Sequence, residues 1–258
     1  MRKSSIANRH DSAGDYEEEI FESDKPERVI IGVHGGGVRR WDGEKFFYAI
    51  AEHYTDSAIM LVDQNQQSGE FIKNNPLSIA IERINNLVTE AKKNHPGVPI
   101  IIIAHSFGCG VASMVNLNDI QSLVLVTPTA GSSYQSYIER HGKEAENGLQ
   151  VTTSDGLKKE YTAAFMQSIK GITWEDTYTK LTKGSVPVYV FEAGSDEIIG
   201  PERYVLRDIP FKEYLILDGA PHNLSGKYLD DFFAKLDPLL HLAIPVKAGI
   251  KSKKSSIV

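Results

Sequence analysis

Six short runs of β-branched and aliphatic residues, at 29–33, 58–62, 100–104, 123–126, 186–191 and 214–217, limit what this chain can fold into. Each is closed within a few residues by Gly, Pro, Asp or His, and each is apolar throughout, as strands buried on both faces of a parallel sheet must be. Between them lie helical patterns at 43–54, 76–94, 107–116 and 225–242; the second carries Ile79, Ile81, Ile84, Leu87 and Val88. Strand and helix in alternation predict an α/β fold with a doubly wound, mostly parallel sheet, whose ligands bind at the carboxyl ends of the strands. A weaker strand is expected near 16–22. No repeat of 20–50 residues interrupts this order, which excludes solenoids and propellers.

The rhythm breaks once. Residues 129–184 separate two strands by far more than a crossover helix needs and are rich in Tyr, Thr, Ser and Lys. The expectation is a helical insertion that forms a lid over the strand ends, with a merely decorative surface insertion as the alternative. Residues 15–246 are read as one domain containing that insertion, 1–14 as a disordered polar arm and 247–258 as a basic tail. The arm's Arg and Ser content also fits a short transit peptide, although it contains Asp11.

Composition narrows the function classes. With 258 residues, 41% hydrophobic and 24% charged, the chain is long enough for one well-buried core. Setting aside the four lysines of 247–258, 24 basic residues face 34 acidic ones, a field that disfavours nucleic acid and anionic membranes as partners. The longest apolar run, 98–104, is far below the roughly 18–20 residues of a membrane span. One cysteine, Cys109, allows no internal disulfide and no CxxC zinc site, and a reducing, cytoplasmic compartment is expected.

Four strand ends carry the chemistry. The segment AHSFGCG at 104–110 follows the most apolar strand and opens a helix, putting Ser106 at a sharp turn with small residues at −2, +2 and +4. Such a turn exposes a nucleophile and aims a helix N-terminus at an incoming carbonyl; an ordinary serine N-cap is the plain alternative. His34-Gly-Gly-Gly37 follows the first run, where glycines can present a backbone N–H to the site. The expected oxyanion donors are the amides of Gly36 and Phe107, with auxiliary support from Gly37 and from His34, which is also read as a brace for the glycine loop. Neither phosphate-loop pattern fits the stretch, so a nucleotide is not expected. Asp196 lies just past the fifth run and His222 just past the sixth. The order Ser106, Asp196, His222 is that of a nucleophile, orienting acid and base mounted on a parallel sheet. Glu197 is the alternative acid.

These motifs resemble the α/β-hydrolase-fold serine hydrolases, over roughly residues 16–243. The −2 position is Ala104 rather than Gly, and DQNQQSG at 63–69 only partly matches that family's aspartate-arginine-glycine loop. The stretches around Asp196 and His222 look most like small carboxylesterases, including cinnamoyl and feruloyl esterases and acylglycerol lipases. The resemblance implies an enzyme cleaving a small-molecule acyl ester through an acyl-enzyme, with no cofactor and no metal. Acyl transfer, thioester or peptide cleavage by the same three residues, and a non-catalytic binding role, stay open. His105 is read as a packing or lid-contacting residue and Cys109 as packing; His10, His53, His95, His141 and His241 are assigned to surface or loops. Tyr134, Tyr137, Tyr161, Phe165, Trp174 and Tyr178 are candidates to line an acyl pocket or to pack the lid.

Overall fold

A computed structural model of the chain, which describes residues 3–41, 45–153 and 156–243, turns the six apolar runs into neighbouring parallel strands. The chain opens with an antiparallel pair, β1 (Ser5–Asp11) and β2 (Gly14–Phe21), then follows β3 (Val29–Val33), α1 (Phe46–His53) and β4 (Ala58–Val62). A short hairpin, β5 (Gln66–Ser68) and β6 (Phe71–Asn74), precedes α2 (Leu77–Asn94), β7 (Ile100–His105), α3 (Phe107–Ala112) and β8 (Ser122–Val126). The inserted segment supplies α4 (Ser133–His141), β9 (Gly148–Thr152), β10 (Lys158–Thr162), α5 (Ala163–Ile169) and α6 (Trp174–Leu181); β11 (Val188–Ala193), β12 (Glu213–Leu217) and α7 (Lys227–Ala243) complete the order.

The main sheet runs β1-β2-β4-β3-β7-β8-β11-β12, antiparallel for the first two strands and parallel for the other six. Strand alternation splits the core between its two faces. Val29, Ile31, Ala58, Met60, Ile100 and Ile102 pack with α2, α3, α5 and α6 on one face. Ile30, Ile59, Leu61, Ile101 and Ile103 pack with α1 and α7 on the other. Phe232 of α7 is fully buried between Phe46 and Phe191; truncating such a ring costs about 3–5 kcal/mol. No described helix is long and apolar enough to cross a membrane.

Two expectations change. Residues 5–11, read as part of a disordered arm, form β1 and pair along their whole length with β2. Their only apolar residues, Ile6 and Ala7, are adjacent and so fall on opposite faces, and no apolar period announces the strand. The insertion is mixed rather than helical: β9 and β10 pair antiparallel, and β10 lies parallel to β6, joining β5 and β6 in a second sheet of order β5-β6-β10-β9. The side chain of His241 and the basic tail 247–258 lie outside the described residues.

Candidate active site

Ser106 sits between the last residue of β7 and the first of α3, at φ 56°, ψ −128°. A non-glycine residue there stores on the order of 1–3 kcal/mol of backbone strain. The turn is held by Ser106 N–H donating to Val126 O (2.9 Å) and Cys109 N–H to Ser106 O (2.9 Å). The small residues on α3 are required by what lies against them. A Cβ on Gly108 would stand 2.3 Å from His34 O, and one on Gly110 would stand 2.3 Å from the Trp174 ring.

Asp196 and His222 arrive from the neighbouring strand ends. Gly194 N–H and Ser195 N–H donate to Leu217 O and Ala220 O (2.9 Å each), stitching the loop after β11 to the loop after β12. Ser106 Oγ lies 2.9 Å from His222 Nε2, and His222 Nδ1 lies 2.9 Å from Asp196 Oδ2. Asp196 Oδ1 accepts from Ile198 N–H (2.9 Å) and Ile199 N–H (2.8 Å). Burial pushes the Asp196 carboxyl upward in pKa, but the His222 hydrogen bond and charge and the two amides outweigh it, and the group titrates below the ordinary carboxylate range. Asp196 is therefore the carboxylate on the imidazole. Glu197, the alternative acid, instead accepts from the backbone N–H of His222 through Oε2 (3.0 Å).

The glycine loop packs against the serine turn: a Cβ on Gly35 would lie 3.3 Å from Ser106 Cβ, and one on Gly36 3.2 Å from Phe107 Cβ. Among the described residues the Gly36 amide has no acceptor, and Phe107 opens α3, where a backbone N–H has no intrahelical partner. Two auxiliary assignments do not hold. The Gly37 amide is spent on Asn74 Oδ1 (2.9 Å). His34 has both ring nitrogens engaged: Nε2 accepts from Gln64 N–H (3.0 Å), which leaves Nδ1–H to donate to Gly35 O (2.9 Å). It braces the loop and offers no donor to an oxyanion.

A cavity of about 300 Å³ opens on Ser106. Gly36 and Phe107 line it from the sheet, Ser136, Tyr137 and Tyr161 from the insertion, and Ile199 from the Asp196 loop. Of the six candidate aromatics, only Tyr137 and Tyr161 reach this cavity. Phe165 and Trp174 are buried behind Phe107, at ring distances of 5.8 and 5.5 Å. Tyr178 is fully buried and donates to Thr129 O (3.2 Å), and Tyr134 lies beside Lys170. His10 and His53 pair with Asp15 and Asp237 away from the site. Cys109 is buried, which raises its thiol pKa and leaves it inert. Sequence reasoning missed Asn74 and Gln64 altogether and gave other roles to Glu197 and to His105, whose Nε2–H donates to the His222 carbonyl (3.2 Å). Only the last two carry any signal, as chain neighbours of Asp196 and Ser106.

No protein-family model matches the chain, and no curated protein matches it in sequence. Solved structures do match in shape. Est1E from Butyrivibrio proteoclasticus is 16% identical, covering 93% of this chain and 98% of its own, with a TM-score of 0.66. The α/β hydrolase GrgF from Penicillium sp. sh18 is 14% identical, with coverage of 93% and 98% and a TM-score of 0.68. A thermostable carboxyl esterase from Bacillus coagulans is also 14% identical, with coverage of 95% and 100% and a TM-score of 0.67. Sheet order, strand-end site and these likenesses agree: the chain has the α/β-hydrolase fold.

Proposed function

We propose that the protein is a serine hydrolase that cleaves a small carboxylic ester through an acyl-enzyme. The observation that carries the reading is the continuous relay from Ser106 Oγ through His222 to Asp196, two contacts of 2.9 Å, at the floor of a cavity. Ser106 Oγ attacks the carbonyl carbon as His222 Nε2 takes its proton, and Asp196 holds the imidazolium that results. The Gly36 and Phe107 amides receive the oxyanion. Collapse breaks the bond to the leaving alcohol, which takes the proton from His222. Water, deprotonated by His222, then releases the carboxylic acid and restores Ser106.

The cavity supports a small substrate. About 300 Å³ is at the lower end of ligand pockets, and its hydroxyl-bearing wall suits a compact polar ester better than a long alkyl chain. Similar folds named as esterases agree with ester cleavage, and the lone, buried Cys109 agrees with a cytoplasmic setting. The test is labelling by a fluorophosphonate probe with peptide mapping, on wild type and Ser106→Ala, followed by p-nitrophenyl esters of increasing acyl length. Labelling at Ser106 that vanishes in the variant, with turnover falling by about 10⁴–10⁶ and strongest on short esters, is expected. Well-folded wild type that neither labels nor turns over any ester overturns the reading.

A further inference from the structure

We propose that His105 and Glu197 are positioning residues that fix the catalytic base by gripping its own peptide groups, one from the nucleophile's strand and one from the acid's loop. The inference rests on the serine-hydrolase reading above and deepens it.

His222 lies in the irregular segment between β12 and α7, outside any ladder or helix. Its side chain is buried, and its backbone N–H and C=O cannot find partners in regular structure there. Both are satisfied by side chains. The N–H donates to Glu197 Oε2 (3.0 Å), and the carbonyl accepts from His105 Nε2–H (3.2 Å). Each gripping residue is the chain neighbour of another reactive residue: His105 immediately precedes Ser106, and Glu197 immediately follows Asp196.

That arrangement gives each contact of the relay a parallel brace. The Ser106–His222 contact is braced by the His105 bond, because both ends of that bond lie within one residue of the groups it keeps together. The Asp196–His222 contact is braced in the same way by Glu197. An imidazole held only by its two functional hydrogen bonds would swing with its loop. One whose peptide is also held can rotate only about its side-chain torsions, and reactive geometry tolerates little play. His105 is itself immobilised, buried with its ring 5.4 Å from Phe46 and 5.1 Å from His222. Burial keeps it neutral, so it places no positive charge beside His222 at working pH.

The test compares His105→Phe, His105→Gln, Glu197→Ala and Glu197→Gln in the full chain. Active-site titration with a fluorophosphonate comes first, so that kcat refers to competent sites alone. Glu197 is exposed, and its variants are expected to fold as wild type. His105→Phe and Glu197→Ala are expected to lower kcat by about tenfold to a hundredfold with KM changed less than about twofold. His105→Gln and Glu197→Gln, which keep a donor and an acceptor, should recover most of that loss. Glu197→Gln, which removes a negative charge beside His222, should also move the acidic limb of the kcat–pH profile, on which the base sheds its proton, to lower pH. Glu197→Ala with wild-type kcat and an unmoved pH profile per titrated site overturns the proposal, whatever the fate of the His105 variants. Wild type that fails to label at all would instead sink the serine-hydrolase reading.

Discussion

Gly108→Ala separates packing from helix propensity, because the two predict opposite signs. At an open helical position the change stabilises by about 1 kcal/mol. In α3 the new Cβ would stand 2.3 Å from His34 O and 2.4 Å from Val33 O, roughly 1 Å inside the 3.4 Å at which ordinary contact begins. Both obstacles are backbone atoms at the end of β3, which is laddered to β4 and β7 on either side and cannot give way. The start of α3 must retreat instead. Overpacking of this kind costs up to about 3 kcal/mol, and subtracting the propensity gain leaves a net loss of about 2 kcal/mol. At about 2–4 °C per kcal/mol for a domain near this size, the melting temperature should fall by about 4–8 °C. The retreat also carries the Phe107 amide about 1 Å away from Gly36, which should cost about 10² in kcat. Thermal unfolding followed by circular dichroism and hydrolysis of a short p-nitrophenyl ester read the two effects. A variant that melts at or above wild type would refute the packing argument, and one that melts lower with undiminished kcat would refute the assignment of the Phe107 amide.

Three further outcomes are expected. Asp196→Asn should reduce kcat by about 10³–10⁴ with the fold retained, since an amide can hold the ring in the wrong tautomer; a change under tenfold in steady-state kinetics would count against Asp196 as the orienting acid. Asn74→Ala removes the buried acceptor for Gly37 N–H and the half-buried donor to Glu160 O, and should destabilise by about 1–3 kcal/mol in urea unfolding. Burial, aided by the charge of His222, holds His105 at a pKa of about 3 against an ordinary 6.5. The unfolded chain therefore takes up a proton that the folded chain refuses. This contribution is fully present above about pH 6.5 and drains away as the pH falls toward 3, reaching a loss of about 2 kcal/mol by pH 5. Unfolding free energies at pH 7.5 and 5 should show that loss in wild type beyond what His105→Phe shows, and equal losses would disprove it.

What could be read from the sequence followed from periodicity and local punctuation. The parallel strands are buried on both faces, so their apolar runs stand out, and the serine turn, glycine loop, Asp196 and His222 each sit just beyond such a run. Polar strands left no such mark: β1 is an edge strand with mixed exposure, and β9 and β10 alternate among partly exposed residues such as Gln150, Lys158 and Glu160. The pairing of β10 with β6 joins residues 87 positions apart, as at Lys158 with Phe71, which no local pattern encodes. The same limit explains Gly37. Its φ of 60° was foreseeable as glycine chemistry, but the acceptor that takes its amide is 37 residues downstream. His34 likewise could be placed beside the loop, while Gln64, which fixes its tautomer, comes from the segment after β4.

The parallel pairing of β6 with β10 makes two distant stretches of the gene one exchangeable unit. Replacing 129–184 alone with the insertion of another scaffold of this shape would strand β6 as a bare edge and remove the backbone carbonyl of Glu160 that Asn74 grips. Asn74 also holds Gly37, so the damage would travel from the graft boundary to the glycine turn beside the serine. A recombination library that redraws substrate range should therefore cut at two places and carry 64–76 together with 129–184. Chimeras that split the pair are expected to lose turnover even where every reactive side chain is retained.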